Sequence, residues 1–97
     1  VYLMDRRTFH HRGLVKHLTE TAEANGIRYQ LRQPGGGGTD AGAIHLAGKG
    51  IPAVALSTPG RYLHTAAAIV NLEDWRNTVR LARAALDTLT AEALRKV

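Results

Sequence analysis

Two side chains with complementary donor chemistry, Asp5 and His64, stand where a chain of alternating strands and helices gathers its reactive groups. Each follows an apolar run that reads as a strand: Val1-Tyr2-Leu3-Met4 precedes Asp5, and residues 51–57 precede the loop that carries Arg61-Tyr62-Leu63-His64. In α/β sheets, binding and chemistry concentrate just beyond the carboxyl ends of strands. A carboxylate oxygen and an imidazole nitrogen at neighbouring strand ends can converge on one cation, and they are the donors that zinc or cobalt takes when thiolates are absent. The chain has no cysteine, so thiolate ligation and disulfides are excluded. Spacing alone leaves the plainer alternative open, a capping aspartate and a surface histidine.

The glycine run Gly35-Gly36-Gly37-Gly38, followed by Thr39 and Asp40, also falls after a strand. Backbone N–H groups exposed by glycines at a helix start can hold an anion. Here no lysine follows the glycines and Asp40 would repel a phosphate, so neither phosphate-binding fingerprint is met. Close backbone approach near a site, or a simple loop, suits the glycines better. His10 and His11 are adjacent, so in an extended segment their side chains diverge and do not form a ligand pair. His17 reads as a solvated helix residue, and His45 as a packed or hydrogen-bonded one. Ser57 lacks a Gly-x-Ser-x-Gly elbow, which removes support for a serine nucleophile.

The elements that must position these groups follow from periodicity. Residues 1–4 read as a buried strand. Residues 11–25 carry Leu14, Leu18 and Thr21/Ala22 at helical spacing, with Gly26 as the stop. Ile27, Tyr29 and Leu31 alternate with Arg28, Gln30 and Arg32, the period of a strand with one wet face. After Pro34 and the glycines, Thr39 and Asp40 are expected to cap a short helix over residues 41–47 that ends at Gly48 and Gly50. Residues 51–57 form a further buried strand, and residues 58–68 a loop. Asn71 then opens a long helix, with Glu73 and Asp74 in its first turn. Leu72, Trp75, Val79, Ala82, Leu86, Leu89 and Ala93 make one stripe along it, expected to pack on a sheet. The order predicts an α/β fold, layered, with a mostly parallel or mixed sheet.

A chain of 97 residues accommodates one domain, and its 44% hydrophobic and 22% charged residues are ordinary for a soluble globular protein. The net charge of +5 raises the question of nucleic acid, but the arginines are dispersed among histidines, along a strand and among helix acids, and the single Phe leaves no alternation of aromatic and basic residues for stacking. No nucleic-acid partner is expected. No stretch approaches the ~20 apolar residues of a membrane span. The absence of cysteine suits a cytoplasmic protein. Val1 to Phe9 is neither a signal nor a transit peptide, and the chain opens as a strand already under way without Met, so residues are expected upstream.

The run Gly36-Gly37-Gly38-Thr39-Asp40-Ala41-Gly42-Ala43-Ile44-His45-Leu46, followed by Gly50-Ile51-Pro52-Ala53-Val54, resembles the C-terminal signature of the tetrahedral, glutamyl and deblocking aminopeptidases, formerly labelled endoglucanases. Met4-Asp5-Arg6, His11-Arg12-Gly13-Leu14, Arg61-Tyr62-Leu63-His64-Thr65 and Asn71-Leu72-Glu73-Asp74 are similar to the same family in order and spacing. Residues 1–97 then form the C-terminal portion of a zinc-peptidase catalytic domain. The resemblance implies a cytosolic enzyme that releases N-terminal residues from peptides, using two divalent metal ions, zinc or cobalt, and assembling as a homo-oligomer of up to a dodecamer. It implies that Asp5 completes one metal site, that His64 completes the other, and that Gly38, Thr39, Asp40 and Ala41 form part of the substrate-pocket wall. A first histidine, a bridging aspartate and a Glu-Glu pair supplying the base have no counterpart in these residues. Metal binding by this chain alone is therefore expected to be weak or absent, and the chain alone to be inactive. The alternative is a non-catalytic α/β binding or assembly module.

Overall fold

The computed structural model describes residues 1–4, 9–32 and 37–95. In chain order these form helix α1 (Arg12–Ala24), the short α2 (Ala41–Ile44), strands β1 (Gly60–Arg61) and β2 (Ile69–Val70), helix α3 (Leu72–Thr88) and a closing 3-10 turn (Ala93–Arg95).

Both ends of α1 are determined locally. His11 stands outside the helix in an extended conformation, and its Nδ1 accepts the Leu14 N–H at 3.3 Å, the role a serine or aspartate side chain more often plays. At the other end Gly26 takes φ +66°, the Gly26 N–H donates to the Glu23 carbonyl at 3.3 Å, and the Ile27 N–H donates to the Ala22 carbonyl at 2.8 Å. This is a Schellman termination, which satisfies carbonyls the helix would otherwise leave orphaned. It also delivers Ile27 into the core beside Ala22.

Residues 1–4 run between two other extended segments. On one side the Arg32 N–H donates to the Val1 carbonyl at 2.7 Å and the Val1 amine to the Gln30 carbonyl at 3.0 Å, placing Tyr2 and Arg32 in a parallel bridge. On the other side the Tyr2 N–H donates to the Ala55 carbonyl at 3.0 Å, and the His11 N–H to the Ala53 carbonyl at 2.8 Å. The expected strands at 1–4, 27–32 and 51–57 are therefore extended segments that share individual hydrogen bonds. Among the described residues the continuous ladder is β1 with β2, antiparallel, pairing Gly60 with Val70 and Arg61 with Ile69. Part of it lies in what reads from sequence as a loop. Residues 51–57 are also less buried than expected, with Ile51 and Pro52 exposed and 53–56 half-buried.

Val15, Leu18 and Ala22 of α1 meet Leu81 and Ala85 of α3 in a core closed by Val1 and Ile27, with Leu3, Tyr29, Val54 and Leu56 packed against it. Helices and extended β segments thus share one apolar centre, an α/β arrangement. The face that α3 buries differs from the expected stripe. Leu72, Trp75, Val79 and Leu86 are half or more exposed, at 57%, 52%, 50% and 73%. Small residues decide the orientation: with alanines at 22 and 85, α1 and α3 approach closely enough for His17 Nε2 to lie 2.8 Å from the Ala85 carbonyl oxygen. That contact also corrects the solvated reading of His17.

The exposed area is 7103 Å². A folded monomer of 10.5 kDa exposes about 5,400 Å². The surplus includes the outer stripe of α3 and the apolar residues Ile44, Leu46 and Ile51 around α2.

Two outcomes test this architecture. Gly26→Ala should lower thermal stability by about 1 kcal/mol although its Cβ meets open space, because alanine pays for the left-handed conformation. The Tyr29 hydroxyl donates to Glu23 Oε1 at 2.8 Å, and this bond, then partial burial and the nearby negative charge, raise the Tyr29 pKa above the usual 10.0. The folded state holds that proton more tightly than the unfolded chain, so the stabilisation is complete below pH 10.0 and is lost as pH rises through the raised value. In an alkaline absorbance titration Tyr29→Phe should remove a late-titrating tyrosine.

Candidate functional site

His64 sits in a loop of residues 62–68 hung between β1 and β2. The pairing at its base is close: a Cβ on Gly60 would meet the Ile69 carbonyl oxygen and Val70 Cγ2 at 3.4 Å each. Above this base the backbone twice enters the left-handed region without glycine, at Tyr62 (φ 61°) and His64 (φ 59°). Each such residue costs about 1–2 kcal/mol relative to ordinary backbone and persists where its surroundings hold it. The Thr65 hydroxyl lies 2.5 Å from the Tyr62 carbonyl oxygen and 3.0 Å from that of Ala67, tying the two sides of the turn.

The imidazole of His64 is exposed and has no hydrogen-bond partner among the described residues. Other histidines are engaged structurally. His10 is 3% exposed, its Nδ1 accepts the Ala55 N–H at 2.8 Å, and its ring stacks at a tilt on Tyr2, with centroids 5.5 Å apart. His11 caps α1, His17 bridges to α3, and His45 closes α2, where its carbonyl accepts the Ile51 N–H at 3.2 Å. The divergence of His10 and His11 read from sequence is thus realised as two separate structural roles.

Asp5 lies outside the described residues, as do residues 33–36 of the glycine loop. Of the expected substrate wall, Gly38 and Asp40 are exposed, Thr39 is half-buried and Ala41 is buried. Asp40 has helical backbone angles and its side chain makes no capping bond, contrary to the expected cap. Its carbonyl instead accepts the N–H groups of Ala43 and Ile44 at 3.0 and 2.9 Å, and α2 is shorter than the expected 41–47. The turn is built by backbone bonds, which leaves the Asp40 carboxylate exposed.

A groove of about 970 Å³ runs between residues 27–32, 56–60 and the first half of α3. Leu63 lines it while His64 does not, and Gly38 to Ala41 lie elsewhere. Arg32 faces this groove with its guanidinium carbon 4.4 Å from the centre of the Tyr2 ring. Among the described residues no group of three or more His, Asp or Glu side chains converges as a metal site needs. A free, exposed imidazole suits one position of a metal shell, and the residues described here do not make a shell around it. No helix among the described residues is long and apolar enough to cross a membrane.

The sequence pattern of the M42 glutamyl aminopeptidases matches residues 1–81. The chain belongs to this family. It is 40% identical over 81 residues to a presumed aminopeptidase of Acetivibrio thermocellus, covering 84% of this chain and 24% of that protein. With the glutamyl aminopeptidase of Lactococcus lactis it shares 32% identity over 85 residues, covering 88% of this chain and 24% of the relative. Its structure superimposes on the TET aminopeptidase of the marine sediment archaeon Thaumarchaeota archaeon SCGC AB-539-E09 with a TM-score of 0.90 and 32% identity, over 97% of this chain and 27% of that one. The chain thus spans about a quarter of the length of these relatives.

The division of histidines is testable. His10→Ala should destabilise the protein by about 1–3 kcal/mol, because it strands the half-buried Ala55 N–H and empties a buried site. His64→Ala should leave thermal stability within about 0.5 kcal/mol, as expected of an exposed side chain without partners.

Proposed function

We propose that this chain is the C-terminal portion of the catalytic domain of a metal-dependent aminopeptidase that releases N-terminal residues from peptides. The observation that carries this reading is His64: in a family member, an imidazole without a hydrogen-bond partner is presented to solvent from a left-handed turn whose geometry is costly to maintain. Family membership supports the aminopeptidase class. The exposed area beyond that of a self-sufficient monomer supports a segment that works as one part of a larger body. Within that body residues 1–4, 27–32 and 53–55 would continue into the layered, mostly parallel or mixed sheet.

In this reading His64 offers a ring nitrogen to one of two divalent cations, zinc or cobalt, and Asp5 offers a carboxylate oxygen to the other. Bound there, such ions supply a nucleophilic water near neutral pH and polarise the scissile carbonyl. Gly38, Thr39, Asp40 and Ala41 form part of the pocket wall, where the missing side chain of Gly38 leaves room for substrate backbone and the exposed Asp40 carboxylate suits the substrate's free ammonium group. A cytoplasmic location and a homo-oligomeric assembly complete the proposal.

This chain contributes neither a base nor enough ligands for a metal shell, so it should be silent by itself. The 97-residue chain supplied with zinc or cobalt should hydrolyse no aminoacyl p-nitroanilide; turnover that disappears in His64→Ala would contradict this. In the full-length enzyme, His64→Ala should reduce kcat/KM by at least 100-fold and lower the bound metal content. Asp5→Asn should do likewise, and retention of both ions by that variant would remove Asp5 from the shell.

A further inference from the structure

We propose that Thr65 is a positioning residue for His64, acting through the backbone of the turn; this rests on the metal-ligand reading of His64 given above. The loop over residues 62–68 has little else to hold it. Its base is a ladder of two residues on each side, and a pairing that short is marginal in water. The loop's large side chains give no packing anchor, since Tyr62 is 59% and Leu63 67% exposed. Yet the backbone adopts the left-handed region at Tyr62 and again at His64, which residues other than glycine enter uncommonly and at a cost.

The feature that counters this cost is the Thr65 hydroxyl. It lies within bonding distance of the carbonyl three residues before it, at 2.5 Å, and of the carbonyl two residues after it, at 3.0 Å. With one hydrogen to give, the hydroxyl favours the nearer Tyr62 oxygen and leans toward Ala67. A β-branched threonine is stiff at χ1, so the tie is held without freezing a freely rotating side chain. The bond spans the residue whose imidazole must be aimed. Without it, Tyr62 and His64 are free to relax to ordinary backbone angles, and the His64 ring nitrogen leaves its direction. Ligand orientation by groups that never touch the metal is a general source of metal affinity.

The test uses the full-length aminopeptidase with Thr65→Val, which keeps the shape and removes the hydroxyl, and Thr65→Ser, which restores it. Metal affinity is measured by dialysis against chelator-buffered zinc, beside kcat and KM for an aminoacyl p-nitroanilide and a thermal unfolding curve. Thr65→Val should lose about ten-fold in affinity for one ion of the pair, with kcat falling at limiting zinc, KM nearly unchanged, and Thr65→Ser close to wild type. If Thr65→Val does not fold, Thr65→Ala against Thr65→Ser makes the same comparison. Wild-type zinc affinity in a folded Thr65→Val or Thr65→Ala variant overturns the proposal. A His64→Ala control that retains both ions overturns the ligand reading itself, and so separates the two failures.

Discussion

The close seam between α1 and α3 is the contact on which the remaining geometry depends. Ala22 and Ala85 are small enough to bring the two helices together, and His17 seals the seam by bonding to the Ala85 carbonyl. The extended segments carrying Val1, Ile27, Leu3 and Leu56 gain an apolar surface to lie on because this seam exists. The hairpin with the His64 loop enters α3 directly: β2 ends at Val70, and Asn71 caps the helix by accepting the Glu73 N–H at 2.8 Å. The docking of α3 on α1 therefore determines where the hairpin leaves the core.

The same seam explains why the apolar stripe of α3 faces outward. A helix of this length has more than one apolar face, and the one chosen for burial has Leu81 and Ala85 at its centre. Turning Trp75 or Leu86 inward would insert long side chains where alanine now stands and force the helices apart. The outer stripe and the apolar residues around α2 remain open to water, and a protein of this mass ordinarily exposes far less area. Nearly the whole chain superimposes on about a quarter of a TET aminopeptidase.

The roles of the histidines follow from their surroundings rather than from their spacing. His10 is buried because a main-chain N–H at Ala55 needs an acceptor there, and its ring completes a contact with Tyr2. His11 replaces the usual capping hydroxyl. His64 stands apart: it is exposed, and its ring has no hydrogen-bond partner among the described residues. The left-handed backbone at Tyr62 and His64 is costly for residues other than glycine and persists where its surroundings hold it.

Much of this was legible in the residues themselves where the governing interactions are local. The span of α1, its glycine stop, the Asn71 cap with acids behind it, and the family signature around Gly38-Thr39-Asp40-Ala41 all depend on neighbours within a few positions. The position of His64 beyond an extended segment was legible in the same way. Tertiary structure decided which face of α3 is buried, that His17 bridges two helices, that residues 1–4 run between 27–32 and 53–55, and that Tyr62 and His64 are left-handed. Each of those outcomes depends on side-chain volume or hydrogen-bond partners supplied from distant parts of the chain, or on a loop geometry that residue type disfavours, and periodicity carries no information about either.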